Sequence, residues 1–410
     1  MALNDNKPIW TAAAPAVWPD PPPEMTVTAL GGIESCPRRW ALGAAYYPEL
    51  WNERGYPPRV QLGALSGTVV HLALEVITRA LVKASCQSLQ DPAVFRVMKD
   101  LGGYTTVVND CIDQALERLA GSPRAQSVLE YAGRSLRAKV PEFRTRAQTM
   151  LCRLHLPRLQ VRGAESGASG VRGPLAAGAF PEIGFRAEQI GWKGKADLLV
   201  LSSHACEITD FKTGAPDEEH QFQIRVYALL WNRDADLNPN QRRADRLILS
   251  YGSGDVEVAA PSESELDELE MLLVARGDAA RQTVLGHPPE ARPAPDHCRY
   301  CTVRHLCTDY WNLETQSRLT QADVEIAYGD FEVTITGRHG PSSWNAQVEI
   351  SSLPQLGKQS VIRSKGTLEF QTGDRIRILD AAVTRQDDEE ELPYTITLGS
   401  LSEVYRTPGK

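Results

Sequence analysis

The chain has 410 residues, with 44 Lys plus Arg against 52 Asp plus Glu and a formal net charge of −8. That length suits two or three domains, and 42% hydrophobic with 23% charged residues excludes disorder as the overall description. The acidic mean excludes a uniformly basic nucleic-acid coat, but not a local basic channel.

No apolar run reaches the roughly 18 residues of a membrane span, so no membrane association is expected. The start, MALNDNKPIW, lacks a basic region followed by an apolar one, so a cytoplasmic location is expected. Eight cysteines stand at 36, 86, 111, 152, 206, 298, 301 and 307. Without an export signal, a disulfide framework is not expected.

Residues 1–24 are rich in Pro and Ala and read as a flexible or extended lead-in. Trp10 and Trp18 within them have no assignable place. A helical pattern runs from about Thr26 to Leu42, and residues 66–84 form a strongly amphipathic helix. Helices continue through 93–120 and 124–156, interrupted by Gly102-Gly103 and Pro141. Residues 163–179 contain mostly Gly, Ala, Ser and Pro and read as a loop or hinge. Three strands follow over 182–190, 195–201 and 206–211, with separators short enough for hairpins. A helix is expected over 217–233, strands over 246–252 and 255–259, and a helix from Ser262 to about Thr283. Beyond Ser317 the pattern turns to short β runs over 323–328, 330–337, 345–351, 361–363, 367–370, 374–384 and 394–398. Their glycine-containing turns suit a small all-β barrel.

The most informative stretch is GKADLLVLSSHACEITDFKTG, residues 194–214. Asp210 and Lys212 are two apart near the end of a strand, so both point to one face. If the two strands pair through the Ser-Ser-His turn, Asp197 joins Asp210. Two carboxylates beside an ammonium suit a hard divalent ion such as Mg²⁺ or Mn²⁺.

This segment resembles the PD-(D/E)XK nuclease superfamily, specifically its RecB-type branch, which includes the iron–sulfur exonucleases of CRISPR adaptation. Gly67-Thr-Val-Val-His71 with Leu74-Glu75 resembles the branch's Gly-x-x-x-His motif. Gly194-Lys-Ala-Asp197 resembles Gly-x-x-Asp, and Asp210-Phe-Lys212-Thr-Gly214 resembles Asp-x-Lys-Thr-Gly. Gln223-Ile-Arg-Val-Tyr227 resembles the Gln-x-x-x-Tyr helix motif. The likeness covers roughly residues 25–311.

It implies His71, Asp197 and Asp210 as metal ligands and Lys212 as the catalytic lysine. Gln223 and Tyr227 would orient that lysine and contact DNA near the scissile phosphate. Four apart on one helix face, they also fit plain packing, and Gln221 is the neighbouring candidate. One or two metal ions would lower the pKa of a water for in-line attack. A ligating His71 must be neutral, so activity is expected to fall below roughly pH 6.5.

Cys298-x2-Cys301-x5-Cys307 places three thiols in one short segment. Cys36, in Glu-Ser-Cys-Pro-Arg-Arg-Trp, resembles the first cysteine of the iron–sulfur relatives. The resemblance implies a 4Fe–4S cluster on Cys36, Cys298, Cys301 and Cys307, stapling the N-terminal helix to the end of the nuclease domain. Zinc competes for four cysteines, with His297 or His305 as substitute ligands, and plain core cysteines are the third reading.

Residues 131–162 carry Arg134, Arg137, Lys139, Arg144, Arg146, Arg153, Arg158 and Arg162 against Glu142 alone, a local charge of +7. That suits a phosphate-lined channel or a solvated helix face. Arg38 and Arg39 are further candidate phosphate contacts.

The fold class expected is α/β, a restriction-endonuclease-like core with a mixed sheet flanked by helices, followed by an OB-like barrel. The domains expected are a Pro/Ala-rich segment over 1–24, the nuclease domain over 25–316 and the barrel over 317–410. Phe331, Trp344, Phe370 and Tyr394 either stack single-stranded bases or fill the barrel core. The acidic run 387–391 would repel DNA and face a protein partner.

The function expected is a Mg²⁺- or Mn²⁺-dependent deoxyribonuclease acting on single strands or ends, in repair, recombination or antiphage defence. The alternatives are a non-catalytic DNA-binding scaffold and an RNA-directed nuclease. There is no Gly-x4-Gly-Lys-Ser/Thr motif, so a helicase or other DNA-processing protein is the expected partner.

Overall fold

The computed structural model describes residues 8–51, 55–157, 172–319, 328–353, 358–366, 368–384 and 394–407. From residue 8 onward the lead-in is extended and docked. Strand β1 (Ile9–Thr11) pairs in parallel with Val404–Arg406 near the far end of the chain. Trp10 and Trp18 pack into an apolar cluster with Leu42 and Tyr405. Met25 then bridges to Trp192, and both are fully buried.

Helix α1 (Val27–Ser35) opens on Thr26, whose hydroxyl accepts the Ala29 N–H at 3.0 Å. It stops at Cys36, which caps α2 (Pro37–Ala44), with proline at the first helical position. Helix α3 (Leu62–Lys83) buries Val69, Val70, Ala73, Leu74, Ile77 and Leu81, a stripe at helical spacing. Each such Val, Leu or Ile contributes about 1.5–3 kcal/mol. By length and composition α3 could also cross a membrane, but here it packs on the helices that follow. These are α4 (Val94–Asp100), α5 (Gly103–Ala120), α6 (Pro123–Gln126), α7 (Leu129–Arg137) and α8 (Val140–Leu151). Gly102, at φ +74°, supplies the left-handed turn that separates α4 from α5.

The central sheet comprises β2 (Gly178–Ala187), β3 (Trp192–Leu201), β4 (Cys206–Lys212), then β5 (Arg246–Tyr251) and β6 (Gly254–Val258), side by side in that order. Only β4 and β5 are parallel neighbours. A parallel pair needs a crossover, and α9 (Glu218–Arg233) provides it. Leu198 and Phe211 pack with α3, whereas Leu199 and Ile208 pack with α9. The alternating strand therefore buries both faces, and the mixed α/β core matches the expected class.

Helix α10 (Glu263–Thr283) starts with a capping box between Ser262 and Glu265. The short α11 (Pro295–Cys298) and α12 (Leu313–Leu319) bracket the cysteine segment.

Strands β7 (Tyr328–Gly340), β8 (Ser343–Ser351), β9 (Gln359–Ser364), β10 (Arg375–Thr384) and β11 (Tyr394–Leu398) form a five-stranded barrel, closed by pairing of β7 with β10. This is compatible with an OB-like barrel. Strand β12 (Glu403–Arg406), absent from the sequence reading, pairs with β10 and carries β1 on its other edge. Residues 368–370 are not a strand, and most of 323–328 and all of 387–391 lie outside the described residues.

Phe331, Trp344 and Tyr394 are buried in the barrel core, and Phe370 meets Trp344 edge-on at 5.0 Å. Core filling, not base stacking, is what these four side chains do.

Buried charges join barrel to helices. Arg304 pairs with Asp330 and Asp380, Arg124 pairs with Glu403, and the His305 ring stacks on Tyr405 at 3.9 Å.

Candidate active site and cysteine cluster

The β3–β4 ladder pairs Leu199 with Ile208 and Leu198 with Thr209. One further step sets Asp197 across from Asp210, and each antiparallel pair shares one face. Asp197 Oδ2 accepts the Phe211 N–H at 2.5 Å, and its Oδ1 lies 3.7 Å from His71 Nδ1 on α3.

Two glycines explain why these elements can meet. A Cβ on Gly67, one turn before His71, would sit 3.0 Å from Thr213 Oγ1. A Cβ on Gly194 would sit 2.8 Å from Leu230 and 2.9 Å from Tyr227. Gly194 therefore lets α9 lie directly on β3, which brings Tyr227 to the carboxylates.

Asp210 is 4% exposed. Burial, and next the Asp197 charge, push its pKa up to about 6, against the pull of Lys212 and His71. Lys212 Nζ lies 2.6 Å from Asp210 Oδ2, yet that oxygen receives no hydrogen bond of acceptable geometry. The ammonium instead donates to Gln223 Oε1 at 2.5 Å, and Gln223 Nε2 donates to Tyr227 Oη at 2.6 Å. Gln221 is exposed and takes no part. Burial works against a charged His71, but the Asp197 hydrogen bond and the charges of Asp197 and Asp210 win and raise its pKa.

The donor set of one imidazole and two carboxylates, one oxygen buried and without a hydrogen bond, fits a hard divalent cation. Among the described residues, no three Cys, His, Asp or Glu side chains are drawn to mutual ligand distances. The fit rests on the donor chemistry of these three side chains.

The sequence reading missed Glu182, Lys195 and Arg118, which line the same cleft. Lys195 was discoverable, since it precedes Asp197 by two and shares its face. Glu182 lies across from Asp197 between the pairs Pro181–Leu198 and Ile183–Ala196, and only the register reveals it. It ion-pairs with Lys195 and holds φ at +58°, unusual for a residue with a Cβ.

All eight cysteines are free thiols. Cys36, Cys298, Cys301 and Cys307 line one pocket. Every one of these sulfurs accepts a backbone N–H. Arg39 and Arg292 donate to Cys36 and Ala294 donates to Cys298, each at 3.4 Å. Val303 and Tyr310 donate to Cys301 and Cys307. Burial first, and next the charges of neighbouring thiols and carboxylates, push the thiols of Cys298, Cys301 and Cys307 up to about 11, against the backbone N–H groups they accept. Four soft donors with N–H groups aimed at them fit an iron–sulfur cluster or a tetrahedral zinc. His297 is already engaged by the Arg292 carbonyl and Asp296, while His305 is packed against Tyr405 and Tyr56.

The basic candidates divide. The Arg38 guanidinium donates to the Pro289 carbonyl and pairs with Asp309. Arg39 lines the cysteine pocket. Arg134 pairs with Glu130, Arg137 with Asp113, and Arg144 with the Thr105 hydroxyl, while Lys139 is exposed. Arg153 ties α8 to Tyr251 and Asp255. Arg146 alone of these reaches the loop after Lys212, through the Thr213 carbonyl at 3.2 Å. Arg158 and Arg162 lie outside the described residues.

Residues 24–308 match the family model of the PD-(D/E)XK nuclease superfamily. No curated protein matches the chain. Among solved structures, "Crystal structure of SSO0001" is similar at 19% identity and a TM-score of 0.22, over 32% of this chain and 59% of that one. This chain thus spans about three fifths of that relative.

Proposed function

The chain belongs to the PD-(D/E)XK nuclease superfamily, and from that membership we propose that it is a Mg²⁺- or Mn²⁺-dependent deoxyribonuclease cutting single strands or DNA ends. The observation that carries this reading is Asp210, a buried carboxylate facing Asp197 beside His71, with Lys212 held at 2.6 Å.

His71, Asp197 and Asp210 would hold the cation, which would supply Lewis-acid polarisation of the scissile phosphate and a more acidic water for in-line attack. Lys212 presents its ammonium to the charge that builds on the phosphate. Gln223 fixes that ammonium with its carbonyl oxygen. Its amide N–H goes to Tyr227 Oη, which leaves the tyrosine proton to donate toward a phosphate oxygen.

Cys36, Cys298, Cys301 and Cys307 hold a 4Fe–4S cluster that joins the α1–α2 junction to the segment before the barrel. A helicase or other DNA-processing partner supplies unwound strands, by analogy with the RecB-type relatives. Repair, recombination and antiphage defence all need such an enzyme.

The test incubates anaerobically purified chain with end-labelled single- and double-stranded DNA in Mg²⁺, Mn²⁺ or EDTA, beside Asp210→Ala. Cation-dependent cleavage that the variant loses supports the enzyme. Folded, DNA-binding protein that cuts nothing under any condition points instead to the scaffold subunit.

A further inference from the structure

Two open grooves meet beside the carboxylates. The first, about 470 Å³, is lined by His71, Glu75, Arg118, Glu182, Lys195 and Asp197. The second, about 770 Å³, is lined by Thr145, Arg146, Thr149, Gly214, Gly252 and Ser253. Each has room for a nucleotide-sized ligand. Thr213 borders both. It directly follows Lys212, so any chain passing from one groove to the other crosses the end of β4 where Lys212 and Asp210 stand.

Thr213 is a fixed low ridge. Its carbonyl accepts from Arg146 Nη1, and Gly67 leaves space for its hydroxyl. The floor beyond it is glycine-rich, which allows close approach of a backbone.

Cations stand on both sides of the ridge. Arg118 is exposed and, among the described residues, has no hydrogen-bond or ion-pair partner. Lys195 is 59% exposed, with Glu182 beside it. Across the ridge, Arg146 is 34% exposed and shares Glu142 on its own helix. A lone surface arginine is ordinary. Cations on both flanks of a carboxylate centre, in two grooves that share Thr213, match a polyanion laid across it.

We infer that the two grooves form one track for a single DNA strand. Arg118 and Lys195 contact phosphate on one side of the scissile bond, and Arg146 contacts phosphate on the other. The inference rests on the nuclease reading and adds to it the path of the substrate strand.

The test is fluorescence anisotropy of a fluorescein-labelled oligothymidylate on the full chain in EDTA, where cleavage is silent, across a salt series. Arg118→Glu and Arg146→Glu are each expected to weaken binding about tenfold. The salt slope should fall by about 0.7 for every phosphate of a single strand that is no longer neutralised. Arg146→Lys keeps the charge and drops the Thr213 bond, so it should bind as wild type. Wild-type affinity and slope in both charge reversals overturns the track. Equal weakening by Arg146→Lys assigns that arginine to loop support and removes its half of the track. Cleavage that needs Asp210 with unchanged binding in both reversals leaves the enzyme standing without the track. Lost binding in a chain that cuts nothing leaves the track standing without the enzyme.

Discussion

Lys212 and Gln223 are joined by a 2.5 Å hydrogen bond between ammonium and side-chain carbonyl, eleven residues apart and on different elements. One partner ends a strand and the other rides the crossover helix, so the helix sets where the ammonium sits. The Gln-x-x-x-Tyr spacing has a physical purpose here. Gln223 and Tyr227 lie on one helix face, and the glutamine's two ends serve lysine and tyrosine at once.

Gln223→Ala should therefore lower kcat by about ten- to a hundredfold, the usual effect of losing a supporting shell, with a smaller change in KM. Steady-state kinetics on a labelled strand reads this directly. An unchanged kcat would mean that the lysine is held by Asp210 alone.

The pH profile follows from two groups. Asp210 must be ionised and His71 neutral to take part in a cation site, and both titrate upward of their usual positions. Activity should thus climb as pH rises through about 6 and plateau above neutrality, with no rise on the acidic side. A profile that is flat between about pH 5 and pH 8 would contradict the ligand roles.

The same carboxylate has a stability consequence of opposite sense. Its folded-state pKa of about 6 lies above the ordinary 3.8. The folded state therefore binds the proton more tightly, and its advantage is full below the ordinary value and lost as pH rises through about 6. Asp210→Asn should raise the Tm of metal-free protein near neutral pH while abolishing cleavage. The gap should narrow as pH falls below about 6. Thermal melts of both chains at several pH values decide it.

Gly194→Ala would place a methyl within 3.0 Å of both Leu230 and Tyr227. Overpacking of this kind costs about 1–3 kcal/mol. Because the clash is with the Tyr227 ring, activity should drop beyond what the reduced stability explains. Denaturant titration alongside kcat separates the two. An unaffected variant would show that α9 can shift freely on β3.

If the cysteine pocket holds a metal centre, Cys36→Ser should weaken its retention, while the serine hydroxyl can still cap α2 in place of the thiol. Iron with acid-labile sulfide in the wild-type chain, reduced in the variant, is the expected analysis. Zinc without sulfide would replace the cluster with a single ion.

Much of the site was legible because its parts are local. Asp197 and Asp210 flank one short hairpin, and period-two geometry alone brings them together. His71 was read from its likeness to the Gly-x-x-x-His motif, and the apolar pattern around it gave the helix that carries it. Glu182 was invisible because it depends on the β2–β3 register. The partners of Arg38, Pro289 and Asp309, were not legible because they are far away in sequence. The barrel aromatics sit on strands whose alternation defines two faces, and only closure of β7 on β10 makes one of them the inside. Strand β1 is three residues long, too short for any periodic signal, and its partner is nearly the whole chain away.

That distance has a temporal side. Residues 9–11 leave the ribosome long before residues 404–406, with which they pair. At ordinary synthesis rates the first strand waits roughly 20 to 80 s for its partner. The nuclease core can close around Met25 and Trp192 in that interval, while the residues ahead of Met25 stay unclaimed. Strand β12, once made, would be a bare sheet edge open to other chains were β1 not already anchored nearby and ready to cover it. The short N-terminal strand thus covers the edge that β12 would otherwise present.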